Sequence, residues 1–159
     1  MNQKEIIQKT ADFVKATLFD AEGGHDWFHI ERVWNNAKLI AQDENVDLFI
    51  VELGALLHDI ADSKFHQGNE SIGPKKAREF LENLQIDEKI IDHIEKIIEN
   101  ISFKGGNFNQ QFHSKELKVI QDADRLDAIG AIGIARAFNY GGFKHRALYH
   151  PDVKPNLYQ

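Results

Sequence analysis

The stretch DLFIVELGALLHDI, residues 47–60, decides the fold because it is apolar almost all the way round a helix. Only Asp47 and Glu52 are charged before the chain reaches His58. A helix that is hydrophobic on every side is normally buried inside a protein. This stretch therefore predicts a buried helix, against which the rest of the chain must pack.

The segments on either side of this stretch also have helical spacing. Apolar residues recur at steps of three and four over about 3–19 and again after Asp26, which is a good N-cap residue. The segments SIGPKKAREFLENL and DEKIIDHIEKIIEN read as amphipathic helices, and a longer helical pattern runs from about 114 to 139. Strand signals are almost absent. The sequence predicts an all-α fold, a compact single-domain helical bundle of about six helices over residues 1–159.

The composition of the chain excludes several classes of partner and of metal site. Its 159 residues carry a net charge of −6 and include no cysteine. The charge argues against a polymeric nucleic acid partner, although a local basic pocket for a small anion stays open. Without cysteine, a metal must be held by His, Asp, Glu or backbone oxygen. The N-terminus lacks a signal-peptide layout and no apolar run reaches about 18 residues, so we expect a cytoplasmic protein with no membrane partner.

Two carboxylates interrupt the apolar face of the long helical pattern near the C-terminus. Positions on this face follow one another at steps of three and four: Leu117, Ile120, Asp124, Asp127, Ala131, Ile134 and Phe138. A buried carboxylate without a partner is costly, so each acid requires a cationic side chain, N–H donors or a metal ion. An ion pair with Arg125, Arg136 or a lysine needs no metal, but the neighbouring Arg125 and Asp124 do not face each other.

Two other predicted helices also carry polar groups at inward positions. His58 and Asp59 end the buried helix, where the helix dipole disfavours a bare aspartate and favours a cation. His29 lies at the edge of the apolar stripe of the second helix. Taken singly, these residues also fit a solvated helix end and a satisfied core histidine. Taken with Asp124, they form two imidazoles and two carboxylates, which suit Mn²⁺, Mg²⁺, Fe²⁺, Co²⁺ or Ni²⁺ in six-coordination.

These residues resemble the H…HD…D signature of the HD-domain metal-dependent phosphohydrolases, and especially the small stand-alone bacterial members of that family. The resemblance rests on His29 in HIERV, His58 and Asp59 in LLHDIAD, and Asp124 in DADRLDAIGAIG. It runs over about residues 25–142, most of the chain. The resemblance implies that these two histidines and two aspartates bind the metal.

The resemblance also implies roles for nearby residues. Asp62, four residues after His58, matches an acidic residue that acts as a general acid or base, or orients water, in relatives. In HDWFH, His25 and Asp26 are expected to cap the second helix and line the mouth of the site. The segment EKIIENISFKGG lacks the extra histidines of two-metal relatives, and His93 is predicted to be a surface or packing residue. We therefore expect one divalent cation, with Mn²⁺ favoured.

Hydrolysis of a phosphate needs cationic side chains to stabilise the developing charge. Lys64 and Lys104 are the candidates because both lie in loops beside predicted site elements, and SFKGG allows close approach of the backbone to a ligand. A solvated surface charge is an equal alternative for each lysine. Asp127 is also assigned to the substrate side of the site, one turn beyond Asp124, where it could orient a ligand or a cationic side chain.

The resemblance predicts hydrolysis of a phosphoester or phosphoanhydride in a small phosphorylated molecule, with a nucleotide as the expected substrate. Trp27, Phe65 and Phe103 could stack on a base, although aromatic residues are usually part of the core. The substrate would be a nucleoside triphosphate cleaved to the monophosphate, or a monophosphate cleaved to the nucleoside. The alternatives are a cyclic-nucleotide or guanosine-tetraphosphate phosphodiesterase and a non-catalytic, metal-stabilised ligand-binding module. A homodimer and the role of the tail from Phe143 stay open.

Overall fold

The computed structural model describes residues 1–21, 24–61, 69, 71–102 and 110–154. These ranges contain seven α-helices and no strand, which confirms the all-α class. The helices are α1 (Gln3–Thr17), α2 (Trp27–Ala41), α3 (Leu48–Leu57), α4 (Ile72–Asn83), α5 (Glu88–Asn100), α6 (Lys115–Asp127) and α7 (Gly130–Phe143). Within the same ranges, no helix is long and apolar enough to cross a bilayer.

Helix α3 is the buried helix that the apolar stretch predicted. Seven of its ten residues are buried, and it packs against α1, α2, α5 and α6. Its N-terminus is capped by Asp47, whose side chain accepts hydrogen bonds from the backbone N–H groups of Phe49 and Ile50. Burial of apolar side chains on all sides of α3 is therefore the main force that assembles the other helices around it.

Helices α3 and α6 approach closely at Gly54. A Cβ atom at this position would lie 2.6 Å from Cδ1 of Ile120 on α6 and 3.5 Å from the side chain of Ile97 on α5. The close approach brings the C-terminal end of α3 beside the C-terminal half of α6. Helix α2 packs against both of them, so three helices meet at one place.

The start of α2 is set by Asp26, as the sequence predicted. Asp26 is the N-cap residue, and its side chain accepts a hydrogen bond of 3.0 Å from the backbone N–H of His29. Such a cap satisfies an N–H group that the helix itself leaves without a partner. The cap therefore holds the first turn of α2, which carries His29.

The prediction of one continuous helix from about 114 to 139 is wrong. Helix α6 ends at Asp127, Ile129 is extended, and Gly130, the first residue of α7, has a φ of +65°. Glycine adopts a positive φ without the steric penalty that other residues meet. The apolar steps of three and four continue through the break, so periodicity could not detect it. This break accounts for seven helices where about six were predicted.

The break also changes the environment of the apolar side chains of α7, which do not continue the buried face of α6. No residue of α7 is buried, and Ile134 and Phe138 are 62% and 53% exposed. The predicted continuation of the buried face through these two residues is therefore wrong. Helix α7 packs lightly, against the end of α6.

Candidate metal centre

The four side chains predicted to bind a metal come from α2, the end of α3 and α6, and they converge. His29 Nε2 lies 3.6 Å from Asp59 Oδ2 and 3.5 Å from Asp124 Oδ1. His58 Nε2 lies 3.6 Å from the same Asp59 oxygen and 3.8 Å from the same Asp124 oxygen. Donor atoms that share one ion at about 2.1 Å lie about 3–4 Å apart. Each histidine nitrogen therefore stands at such a distance from both carboxylates, and the donor atoms of His29, His58 and Asp59 all lie within 4.8 Å of one another.

His58 presents a lone pair to this centre. Its Nδ1 lies 2.8 Å from the carbonyl oxygen of Ala55, and a carbonyl oxygen can only accept a hydrogen bond. Nδ1 therefore carries a proton, and in the neutral form of the ring the lone pair is on Nε2. His58 Nε2 is buried and has no hydrogen-bond partner among the described residues. This is the arrangement that a metal-binding histidine needs.

His29 is oriented in the same way by a carboxylate. Its Nδ1 lies 2.8 Å from Oδ2 of Asp127, so Nδ1–H donates to that oxygen. Its Nε2 is also buried and unpartnered within the described part of the chain. Buried polar atoms without a partner are rare, and here two of them point at the carboxylates of Asp59 and Asp124. The donor set and its unsatisfied nitrogens therefore fit a divalent cation.

The electrostatics of the centre favour positive charge. Burial lowers the pKa of His29, but the hydrogen bond to Asp127 and the neighbouring carboxylate of Asp59 raise it to about 9. Burial raises the pKa of Asp59, whereas the adjacent His58, His29 and His25 hold it well below its ordinary value. Both pKa shifts indicate that the carboxylates around His29 stabilise positive charge at this centre. A bound cation would supply such a charge.

Asp127 lies on the far side of the His29 ring from the carboxylates of Asp59 and Asp124 and is only 3% exposed. Its Oδ1 accepts a hydrogen bond of 2.6 Å from Arg32 Nε. Its Oδ2 accepts from His29 Nδ1, from Arg32 at 3.0 Å and from Arg136 at 3.1 Å. Burial raises the pKa of Asp127, while the bonds from His29 and Arg32 hold it well below the ordinary value. Asp127 is therefore an ionised carboxylate that orients His29, and its predicted contact with substrate stays a prediction.

The two acids on the apolar face of α6 have different neighbours. Asp127 pairs with Arg136, as the ion-pair alternative allowed, whereas Asp124 Oδ1 lies 3.5 Å and 3.8 Å from Nε2 of His29 and His58. Arg32 was missed in the sequence because it lies outside the apolar stripe of α2. The signal that could have found it is its position three residues after His29, which places both side chains on one face of the helix.

Replacement of Asp127 by asparagine is expected to weaken Mn²⁺ binding by about 10–100-fold, because the hydrogen bond that orients His29 loses its charge. The affinity is measured by isothermal titration calorimetry on metal-free protein at fixed pH. Asp122→Asn is the matched control, since Asp122 is on the same helix and its side chain is 65% exposed. Equal Mn²⁺ affinity in Asp127→Asn and the wild type would show that Asp127 does not orient a ligand.

Two further histidines have different surroundings. The ring of His25 lies 6.1 Å from the ring of His29 and is half-buried beside the centre. His93, on α5, has its Nε2 3.0 Å from Oγ of Ser114, the N-cap residue of α6. His93 is therefore a packing residue that joins α5 to the start of α6.

Several predicted site residues lie outside the described residues. These are Asp62, Lys64 and Lys104, together with two of the three aromatic residues considered for base stacking, Phe65 and Phe103. Their roles as general acid or base, phosphate-binding group and stacking surface stay predictions.

Comparison with known proteins identifies relatives over most of the chain. The HD domain family model matches residues 27–129, which include all four converging side chains. YpgQ from Bacillus subtilis (strain 168), a protein named as uncharacterized, is 38% identical over 150 residues. That alignment covers 94% of this chain and 73% of YpgQ.

Solved structures share the fold at similar levels of identity. An HD-superfamily hydrolase from Bacillus thuringiensis is 43% identical, with a TM-score of 0.74 over 98% of this chain and 75% of that protein. A Lactobacillus plantarum protein is 31% identical, with a TM-score of 0.86 over 100% of this chain and 73% of its own. YpgQ has been crystallised in complex with ADP, and that structure has a TM-score of 0.73 over 96% of this chain and 73% of YpgQ.

Proposed function

Because the chain belongs to the HD-domain family, we propose that it is a metal-dependent phosphohydrolase that acts on a nucleotide. The observation that carries the proposal is the pair of buried, unpartnered Nε2 atoms of His29 and His58, aimed at the carboxylates of Asp59 and Asp124. The nucleotide part draws support from the relative YpgQ, which forms a complex with ADP.

The proposed cation is a single divalent ion, with Mn²⁺ favoured, held by His29, His58, Asp59 and Asp124. When bound, it supplies Lewis-acid polarisation of a phosphoryl oxygen and lowers the pKa of a water molecule. Two neutral imidazoles and two carboxylates balance the charge of a divalent ion. The negative charge of the substrate must therefore be met by side chains outside the ligand set.

Residues that follow α3 and α5 in the sequence are proposed to complete the reaction. Asp62 comes three residues after the ligand Asp59 and would orient or deprotonate the attacking water, or protonate the leaving oxygen. Lys64 and Lys104 would bind the phosphate oxygens and stabilise the charge that develops on them. The role of Asp62 is what the resemblance to the family implies, and the roles of Lys64 and Lys104 follow from chemistry and position in the sequence.

A nucleotide panel with added Mn²⁺ tests the function. The panel contains nucleoside mono-, di- and triphosphates, cyclic nucleotides and guanosine tetraphosphate, and the products are identified by ³¹P NMR. The proposal predicts release of phosphate or pyrophosphate from a nucleoside phosphate, and no release after treatment with a chelator. An opened cyclic ester would instead identify a phosphodiesterase. Protein that contains stoichiometric metal and converts no nucleotide would overturn the proposal in favour of a binding module.

A further inference from the structure

Helix α7 contacts the metal centre through Arg136. The guanidinium Nη1 of Arg136 lies 3.1 Å from Oδ2 and 3.4 Å from the backbone oxygen of Asp127. The same Oδ2 accepts the hydrogen bond from His29 Nδ1, and Arg136 Nη1 is 3.3 Å from that nitrogen. One carboxylate oxygen is therefore shared between α7 and a predicted metal ligand of α2.

Helix α7 has few buried apolar contacts. None of its residues is buried, and it packs lightly against α6. Segments with few buried apolar contacts open at a low free-energy cost compared with the core. The Arg136–Asp127 ion pair is therefore a polar link that ties α7 to the end of α6.

The first turn of α7 also rests directly on the end of α6. A Cβ atom at Gly133 would clash with the backbone carbonyl group of Ala128, the C-cap residue of α6. A Cβ atom at Gly141, near the other end of α7, would meet no atom within 4 Å. An added methyl group at position 133 should therefore displace α7, whereas one at position 141 should leave α7 in place.

We propose that α7 is a positioning element for the metal centre. Its docking on the end of α6 places Arg136, which holds the carboxylate of Asp127 in the orientation that fixes His29. Arg136 is thus a positioning residue, because it acts on the metal ligand through Asp127. The inference rests on the cation of the proposed function and is independent of the substrate. It follows that displacement of α7 lowers the affinity of the centre for metal.

The experiment compares the glycine pair Gly133→Ala and Gly141→Ala with Arg136→Ala and Arg136→Lys, each in the whole chain. Co²⁺ affinity is measured by titration of metal-free protein, and the Nδ1–H resonance of His29 is followed by ¹H NMR. We expect Arg136→Ala and Gly133→Ala to weaken Co²⁺ binding by about 10-fold and to shift that resonance. Gly141→Ala should match the wild type, and Arg136→Lys should recover part of the affinity.

Wild-type Co²⁺ affinity and an unchanged His29 resonance in Gly133→Ala and in the folded Arg136 variants would overturn the inference. If Arg136→Ala does not fold, Gly133→Ala and Arg136→Lys provide the same comparison. Hydrolysis is not a readout here. A wild type that binds Co²⁺ but converts no nucleotide would contradict the proposed function alone, and the variants would still decide the role of α7.

Discussion

Replacement of His58 by alanine is expected to reduce metal-dependent nucleotide hydrolysis by more than about 100-fold, since loss of an outer partner of a metal ligand alone costs about 10–100-fold. The variant removes one of two buried imidazole nitrogens and leaves His29, Asp59 and Asp124 as the remaining predicted ligands. Three protein ligands hold a cation less tightly and in a less defined geometry. The rate constant kcat/KM is measured at one Mn²⁺ concentration that saturates the wild type.

His93→Ala is the matched control, because His93 is also a partly buried, hydrogen-bonded histidine but lies between α5 and the start of α6. It should keep its hydrolytic rate even where the loss of its contact with Ser114 lowers stability. Circular dichroism establishes that both variants are folded. A folded His58→Ala protein with more than about a tenth of the wild-type rate would contradict a ligand role for His58, because a lost ligand costs more than this.

Mn²⁺ at about 1,000 times its Kd is expected to raise the free energy of unfolding by about 4 kcal/mol, because the ion binds the folded chain and not the unfolded one. For a chain of this size, that change should raise the melting temperature by roughly 8–16 °C. The physical cause is the centre itself, where Asp59 and Asp124 face two histidine nitrogens that have no other partner among the described residues. Differential scanning calorimetry of metal-free and Mn²⁺-loaded protein measures the shift.

Ca²⁺ is the control ion because it has the same charge but prefers six to eight oxygen ligands over imidazole nitrogen. It should therefore stabilise the protein much less than Mn²⁺ does. The Mn²⁺-induced shift should nearly vanish in His58→Ala and persist in Asp122→Asn, a variant of an exposed carboxylate on α6. Equal shifts with the two ions, or a full shift in His58→Ala, would show that Mn²⁺ acts elsewhere on the protein.

The sequence predicted most accurately those features of the fold that depend on residues close together in the chain. The uniformly apolar stretch from Asp47 predicted the buried α3, and Asp26 predicted the start of α2. The spacing of acids and histidines also selected His29 and Asp124, whose side-chain atoms the structure places 3.5 Å apart. Local periodicity failed at the end of α6, since Gly130 changes the direction of the chain without disturbing the spacing of apolar residues.

The partners of Asp127 lay beyond the reach of sequence patterns. His29 and Asp127 are 98 positions apart in the chain, and Arg136 and His29 are 107 apart. Periodicity identified Asp127 as an acid on an apolar face that needs a partner. It left open whether that partner was an arginine, a set of N–H groups or a metal.

By itself, then, the sequence determined which segments form helices, where α2 begins and which residue types can bind a cation, because helix propensity, capping and ligand chemistry belong to short stretches of chain. Only the tertiary structure decided that His29 and His58 both turn Nε2 toward Asp59 and Asp124. It alone also distinguished the two acids on the apolar face of α6, with Asp124 beside the Nε2 atoms and Asp127 at Nδ1 of His29. The reason is that ring orientation and ion pairing depend on which distant side chains the packing of α2, α3 and α6 brings together.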